Sequence, residues 1–128
     1  MLNRLKSLLS PRQARGRYAE ERARRFLENN GYRFLAANAA TRFGEVDLVM
    51  EKDEFVVFVE VRERKSNVFG SPAETVDFRK QRRIAKAALA YAKAHALARR
   101  PLRFDIVGVQ GDHLTHLENA FAPAGYTF

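Results

Sequence analysis

FVVFVEVRERKS, residues 55–66, begins as a core strand and ends as a charged rim. Its β-branched and aromatic residues alternate with the period of two expected of a strand. Phe55, Val57, Val59 and Val61 share one face, while Val56, Phe58, Glu60, Arg62 and Arg64 share the other. The second face therefore turns from apolar to charged at Glu60. Upstream, GEVDLVM (44–50) reads as a partner strand with Val46, Leu48 and Met50 on one face and Glu45, Asp47 and Val49 on the other. The four residues EKDE between the two strands leave room only for a tight turn, which predicts an antiparallel hairpin. A turn of two or four residues centred on that tetrapeptide sets Glu45 across from Glu60 and Asp47 across from Phe58. Asp47 and Glu60 are then diagonal neighbours, about 7–8 Å apart at the backbone.

On one side of this hairpin lies PRQARGRYAEERARRFLENNGY (11–32). Ala19, Ala23, Phe26 and Leu27 recur at helical spacing, Gly31 supplies a left-handed stop, and Glu20 falls on the flank of the buried stripe. YRFLAANAAT (32–41) reads as a first strand. On the other side, KSNVFGSP is a loop beside the charged rim, and Ser71-Pro72 predicts the start of a helix running to about Ala98. Its core side is marked by Ile84, Ala88, Tyr91 and His95. A further strand over 102–110, a Gly-Asp turn and a short strand over 113–119 complete the chain. The predicted class is α/β (α+β), a mixed sheet flanked by helices in the order αβββαβ.

At 128 residues, 46% hydrophobic and 30% charged, the chain fits one folded unit. It has no cysteine, so disulfides and thiolate metal sites are excluded and a reducing cytoplasm is the expected location. No apolar run approaches the roughly 18 residues of a membrane span, and MLNRLKSLLS is too short and interrupted for a secretory signal, so no membrane partner is expected. Charge is the strongest functional pointer. Lysine and arginine number 23 against 15 acids, giving a net charge of +8. Residues 1–25 hold Arg4, Lys6, Arg12, Arg15, Arg17, Arg22, Arg24 and Arg25 against Glu20 and Glu21, and RKQRR (79–83) forms a second basic cluster. Such clusters fit either a solvated helix face or a polyanionic partner; together they favour nucleic acid, DNA more than RNA.

Carboxylates gathered beside a core need a neutralising charge. Either Arg62 and Arg64 pair with Glu45, Asp47 and Glu60, or a hard cation such as Mg²⁺ or Mn²⁺ sits between carboxylate oxygens from two strands. Smaller features read more simply. The histidines of HLTH (113–116) point to opposite faces of a strand and read as surface residues. Asp105 either faces the site from the fourth strand or pairs with Arg103, and the pairing is favoured. Tyr18, Tyr32, Phe43 and Phe69 read as packing or loop residues in preference to base-stacking groups.

GEVDLVM followed by FVFVEVRER resembles motifs II and III of the PD-(D/E)xK nucleases, the restriction-endonuclease-like superfamily, whose core shares the order αβββαβ. Four blocks in order, GRYAEERARRFLENNGYRFLAAN, GEVDLVM, FVEVRERKSNVFGSPAETVDFRKQRRI and RFDIVGV, resemble the YraN family of predicted endonucleases from Gly16 to Val109. Archaeal Holliday-junction resolvases are a more distant likeness. The resemblance implies a magnesium-dependent endonuclease in which Asp47, Glu60 and the Val61 carbonyl hold the metal and Glu20 reaches it from the first helix. Arg62 occupies the superfamily's lysine position. Since arginine stays protonated, it would orient the phosphate and offset its charge, and Lys80, or after it Lys65, would supply the missing lysine. Arg15, Arg17, Arg64, Lys65, Arg79, Arg82 and Arg83 are the expected nucleic-acid contacts. The alternative is a nucleic-acid-binding module on the same fold without hydrolysis. The expected division is a basic segment over 1–12, one nuclease-like domain over 13–120 and a tail over 121–128, with a homodimer suiting a branched substrate by symmetry.

Overall fold

The computed structural model describes residues 10–65 and 76–122. The expected helix start at Ser71-Pro72, the FGSP loop and Phe69 lie outside these residues. Helix α1 (Pro11–Asn29) opens with a capping box: Ser10 Oγ accepts the Gln13 N–H at 3.1 Å and Gln13 Oε1 accepts the Ser10 N–H at 2.9 Å. It closes as expected at Gly31, whose φ of +88° lets Tyr32 and Gly31 donate back to the Leu27 and Glu28 carbonyls. Strands β1 (Arg33–Thr41), β2 (Gly44–Lys52) and β3 (Phe55–Arg64) follow, then helix α2 (Phe78–Ala94), β4 (Leu102–Gln110) and β5 (His113–Leu117).

The five strands form one mixed sheet in the order β1-β2-β3-β4-β5. β3 and β4 are parallel and the other neighbours antiparallel, because α2 carries the chain back across the sheet between β3 and β4. The helices cover opposite faces. α1 seals Ala19, Ala23 and Leu27 against Leu48, Met50, Val57, Val59 and Val107. On the other face, α2 packs Ile84, Ala85, Ala88 and Tyr91 against Val49, Val56, Phe58, Phe104 and Ile106. Covering both faces explains why β3 and β4 are nearly continuous apolar runs. Burying Phe58 alone contributes about 2–3 kcal/mol.

Three expectations are corrected. The β2–β3 turn is Asp53-Glu54, with Lys52 opposite Phe55 and Leu48 opposite Val59, so the register is shifted by two residues from the expected one. Asp53 makes this turn by taking a φ of +52°, which an aspartate tolerates. Helix α2 begins at Phe78, where the Asp77 carboxylate accepts the Lys80 N–H at 2.9 Å, and it ends at Ala94 instead of Ala98. Ala96, at φ +57°, turns the chain so that Leu97 donates to the Ala92 carbonyl, a stop made without glycine. Finally, Val46 packs with the α2-side cluster and leaves the alternation of Leu48 and Met50. The break falls where the recorded β2–β3 ladder ends.

Candidate active site

The sheet forks at Leu48 and Val59. Beyond that pair, β3 stays aligned with β4 as far as Arg64, whereas the first residues of β2 stay aligned with β1. The Val61 N–H is thereby released from the β2 backbone, and Asp47 Oδ2 accepts it at 2.8 Å. A carboxylate thus takes the place of a strand carbonyl inside the fork. The shifted register, carried one step past the last paired residues, would set Asp47 opposite Glu60 instead of Phe58, but the strands have parted there and the Asp47 side chain reaches the Val61 N–H.

Glu60 is 8% exposed. Two cations face it, Arg62 Nη1 and Lys80 Nζ, each 3.8 Å from Glu60 Oε1. Both are ion pairs longer than a hydrogen bond, so they offset charge without occupying the carboxylate oxygen at close range. Burial, then the nearby charge of Asp47, pushes Glu60 up from its ordinary 4.5 to about 7 despite Arg62, Lys80 and Arg83. Burial also raises Asp47, against the opposing Val61 N–H and Arg62. Lys80 is lowered, first by burial and then by the positive charge of Arg62 and Arg83.

Glu20 approaches from α1. Burial and then Asp47 raise it to about 7, while Arg17 Nη1, 3.7 Å from Glu20 Oε2, works against them. Glu20 Oε2 is buried with no hydrogen-bond partner among the described residues. An unpartnered buried acceptor near the Asp47 charge suits a cation or a proton. Among the described residues, no group of three or more His, Cys, Asp and Glu side chains is arranged to hold a metal ion. Asp47 and Glu60 would supply two carboxylates and Val61 would add a backbone carbonyl oxygen, an all-oxygen set. Mg²⁺ commonly takes one or two carboxylates and completes its shell with water and substrate phosphate, so this donor set fits it.

All of these groups stand at one end of the sheet: the start of β2, the ends of β3 and β4, and the turns at Arg42-Phe43 and Gly111-Asp112. The expected nucleic-acid residues gather on either side of the fork. Arg15, Arg64 and Lys65 line a groove of about 730 Å³ with Tyr18, Arg22 and Glu63. There Arg22 Nη1 donates to the Gly111 carbonyl at 2.6 Å, tying α1 to the β4–β5 turn. Lys65 thus lies in this groove, and Lys80 is the lysine beside Glu60. Arg79, Arg82 and Arg83 line a second cleft of about 600 Å³ with Phe43, Phe78 and Lys86. Arg83 also passes close to Gly44, where a Cβ would stand 2.7 Å from its Nη1, and the φ of +122° at Gly44 is one that L side chains rarely adopt. Neither helix carries an acid in its first turn. Arg79 and Lys80 at the positive end of α2 are each unfavourable by a few tenths of a kcal/mol, roughly, a cost that the capping Asp77 carboxylate and, for Lys80, Glu60 offset.

Sequence reasoning missed Phe78, Lys86 and a buried polar cluster at the other end of β4. Asp105 is 0% exposed. Arg103 Nε and Nη2 donate to its two oxygens at 2.9 and 2.8 Å, His116 Nε2 lies 2.7 Å from Oδ2, and the Asn119 N–H donates at 3.0 Å. Burial would raise this carboxyl, but the bonds from His116, Arg103 and Asn119 hold it below its ordinary value. His116 is therefore an anchor of β5 and not an ordinary surface histidine. Continuing the Gly111-Asp112 turn in register places His116 opposite Val107 and diagonal to Asp105, the signal that was there to be read.

The sequence profile described as Uncharacterised protein family UPF0102 matches residues 19–109. The chain belongs to the UPF0102 (YraN) family. A UPF0102 protein of Myxococcus xanthus is 46% identical over 114 residues, 86% of this chain and 90% of its own length. A UPF0102 protein of Xanthomonas campestris pv. campestris is 49% identical over 102 residues, 79% of this chain and 84% of its own. One of Stutzerimonas stutzeri is 42% identical over 118 residues, 88% and 98% of the two lengths. The UPF0102 match runs from the middle of α1 to the end of β4 and so includes the forked strands, α2 and every carboxylate of the site. Among the described residues no helix is long and apolar enough to cross a membrane.

Proposed function

We propose that this protein is a metal-dependent endonuclease that hydrolyses phosphodiester bonds in DNA at the Asp47–Glu60 fork. The observation that carries the reading is the seating of Asp47 on the Val61 N–H beside a buried Glu60 that no cation meets at hydrogen-bond distance among the described contacts. A fold does not hold two such carboxylates against burial and mutual repulsion without offsetting the cost elsewhere. The resemblance to the nuclease motifs points the same way, as do the basic grooves on both sides.

Asp47, Glu60 and the Val61 carbonyl would hold Mg²⁺ or Mn²⁺, which when bound polarises the phosphoryl oxygen and acidifies water. Arg62 cannot act as a base; its fixed charge orients the scissile phosphate and offsets the negative charge that grows on it during in-line attack. Lys80, lowered by burial and by its arginine neighbours, holds its proton less tightly than a surface lysine and stands next to Glu60. It is placed to orient the attacking water or to take its proton. Glu20, with one oxygen unpartnered, faces the same space from α1 and can accept a hydrogen bond from that water.

The test is cleavage of linear, flapped and branched DNA and of structured RNA with Mg²⁺ or Mn²⁺, in wild type and in Asp47→Asn and Glu60→Gln. Cleavage of DNA that disappears in both variants supports the site; cleavage that survives both removes it. A second reading is a binding module without hydrolysis, favoured by Arg62 at the position where the superfamily pattern has lysine. It gives salt-sensitive DNA binding with no turnover under any metal.

A further inference from the structure

Among the described residues, two large hydrophobic side chains are exposed, Tyr18 at 62% and Phe78 at 76%. The Tyr18 ring carries a cation, the Arg22 guanidinium 5.8 Å from its centroid. Among the described residues, no ring packs on Phe78 and no cation sits over it. Phe78 instead forms the wall of the cleft lined by Phe43, Arg79, Arg82, Arg83 and Lys86. A single exposed phenylalanine is ordinary. One set among four cations, in a cleft that also contains a second aromatic ring, is a built arrangement: an apolar plate with anion-binding groups at its edge. Past Phe43 and Lys86 the cleft continues for about 570 Å³ along α2, over Leu89 and Ala90 and between Arg42 and Lys93.

We infer that this cleft binds single-stranded DNA, with an unpaired base stacked on Phe78 and the flanking phosphates held by Arg82 and Lys86. The inference rests on the reading of this end of the sheet as a nucleic-acid face, and it narrows the substrate to DNA with unpaired nucleotides next to the scissile phosphate. A duplex keeps its base faces stacked on one another and offers the ring nothing; an unpaired base offers a whole face. The charge complements a phosphodiester backbone, since among the described residues the cleft lining holds four cations and no acid. Arg83 joins the two regions: it lines the cleft and its charge also acts on Glu60. A strand lying along α2 thus leads directly to the carboxylates.

The chain contains no tryptophan, so Phe78→Trp introduces a single emitter at the proposed plate. With the full-length protein in EDTA, where no cleavage occurs, labelled oligo-dT and a blunt duplex of equal length are titrated by anisotropy, and tryptophan emission is followed in parallel. The expected result is quenching by oligo-dT and not by the duplex. Phe78→Ala should weaken oligo-dT binding about tenfold and leave duplex binding unchanged. Because Phe78 is exposed, the variant folds, and a matching thermal midpoint confirms it. Oligo-dT that binds by anisotropy without quenching the tryptophan overturns the Phe78 assignment while leaving DNA binding intact. An absence of binding to either DNA overturns the nucleic-acid reading with it. Stronger quenching by an oligo-rU of the same length overturns the choice of DNA.

Discussion

Replacing Glu60 with glutamine should stabilise the metal-free protein at pH 8 and leave it nearly unchanged at pH 4. Glu60 titrates at about 7 in the folded chain against an ordinary 4.5, so below 4.5 it is protonated in both states and imposes no penalty. As pH rises from 4.5 to about 7, the unfolded chain releases this proton first, the folded chain binds more protons, and stability falls. Above about 7 the full penalty applies. At about 1.4 kcal/mol per tenfold change in proton affinity, it amounts to about 3 kcal/mol. That cost is already net of the attraction of Arg62, Lys80 and Arg83; glutamine removes it but buries an amide in its place, at about 1 kcal/mol. The net gain at pH 8 is then about 2 kcal/mol, which in a chain of this size raises the thermal midpoint by roughly 6–10 °C. Urea melts of wild type and Glu60→Gln at pH 4, 6 and 8 in EDTA measure it directly. A variant equally stable at every pH, or less stable at pH 8, refutes the claim that Glu60 is held ionised against its burial.

Asp47→Ala leaves the Val61 N–H without its partner and should cost about 1–3 kcal/mol in a urea melt, whereas Asp47→Asn keeps an acceptor oxygen there and should stay within about 1 kcal/mol of wild type. Asp105→Ala strips Arg103 and His116 of a buried partner and should cost about 3–5 kcal/mol, read from the same melts at pH 7. The Asp105 contribution is lost as pH falls through its depressed folded value, so the gap between Asp105→Ala and wild type should narrow below pH 4. Arg82→Ala combined with Lys86→Ala should weaken oligo-dT binding and reduce the slope of log affinity against log salt by about 1.4, from titrations between 50 and 200 mM salt, as roughly 0.7 is expected per phosphate contact.

The parts of the fold that are carried by local signals were legible in the sequence. NNG stops α1 because the φ of Gly31 suits glycine, and the two-residue alternation of FVVFVE assigns each side chain of β3 to the correct face. The order αβββαβ and the mixed sheet follow from such signals together with the length of the α2 crossover. Register was less legible. EKDE offers more than one tight turn, and since registers two residues apart keep Val57 and Val59 on the α1 face, periodicity does not choose between them; Asp53 is the residue that takes the positive φ. The same holds for the end of α2, where Leu97 folding back on Ala92 replaces the glycine that pattern reading looks for. At the site, parity alone puts Asp47 and Glu60 on one face, and the two-residue shift preserves parity. The fork was not legible, because it depends on β3 staying with β4 while β2 stays with β1. Nor was the exposure of Phe78, since an aromatic residue at a helix start reads as core until the helix is placed.

Metal binding to the fork is the most direct test of the proposed site. Isothermal titration of the protein with Mn²⁺ at pH 8 should show saturable binding that is abolished in Asp47→Asn, whose melt shows it to be folded. No heat up to millimolar Mn²⁺, or binding of equal strength in wild type and Asp47→Asn, would contradict it.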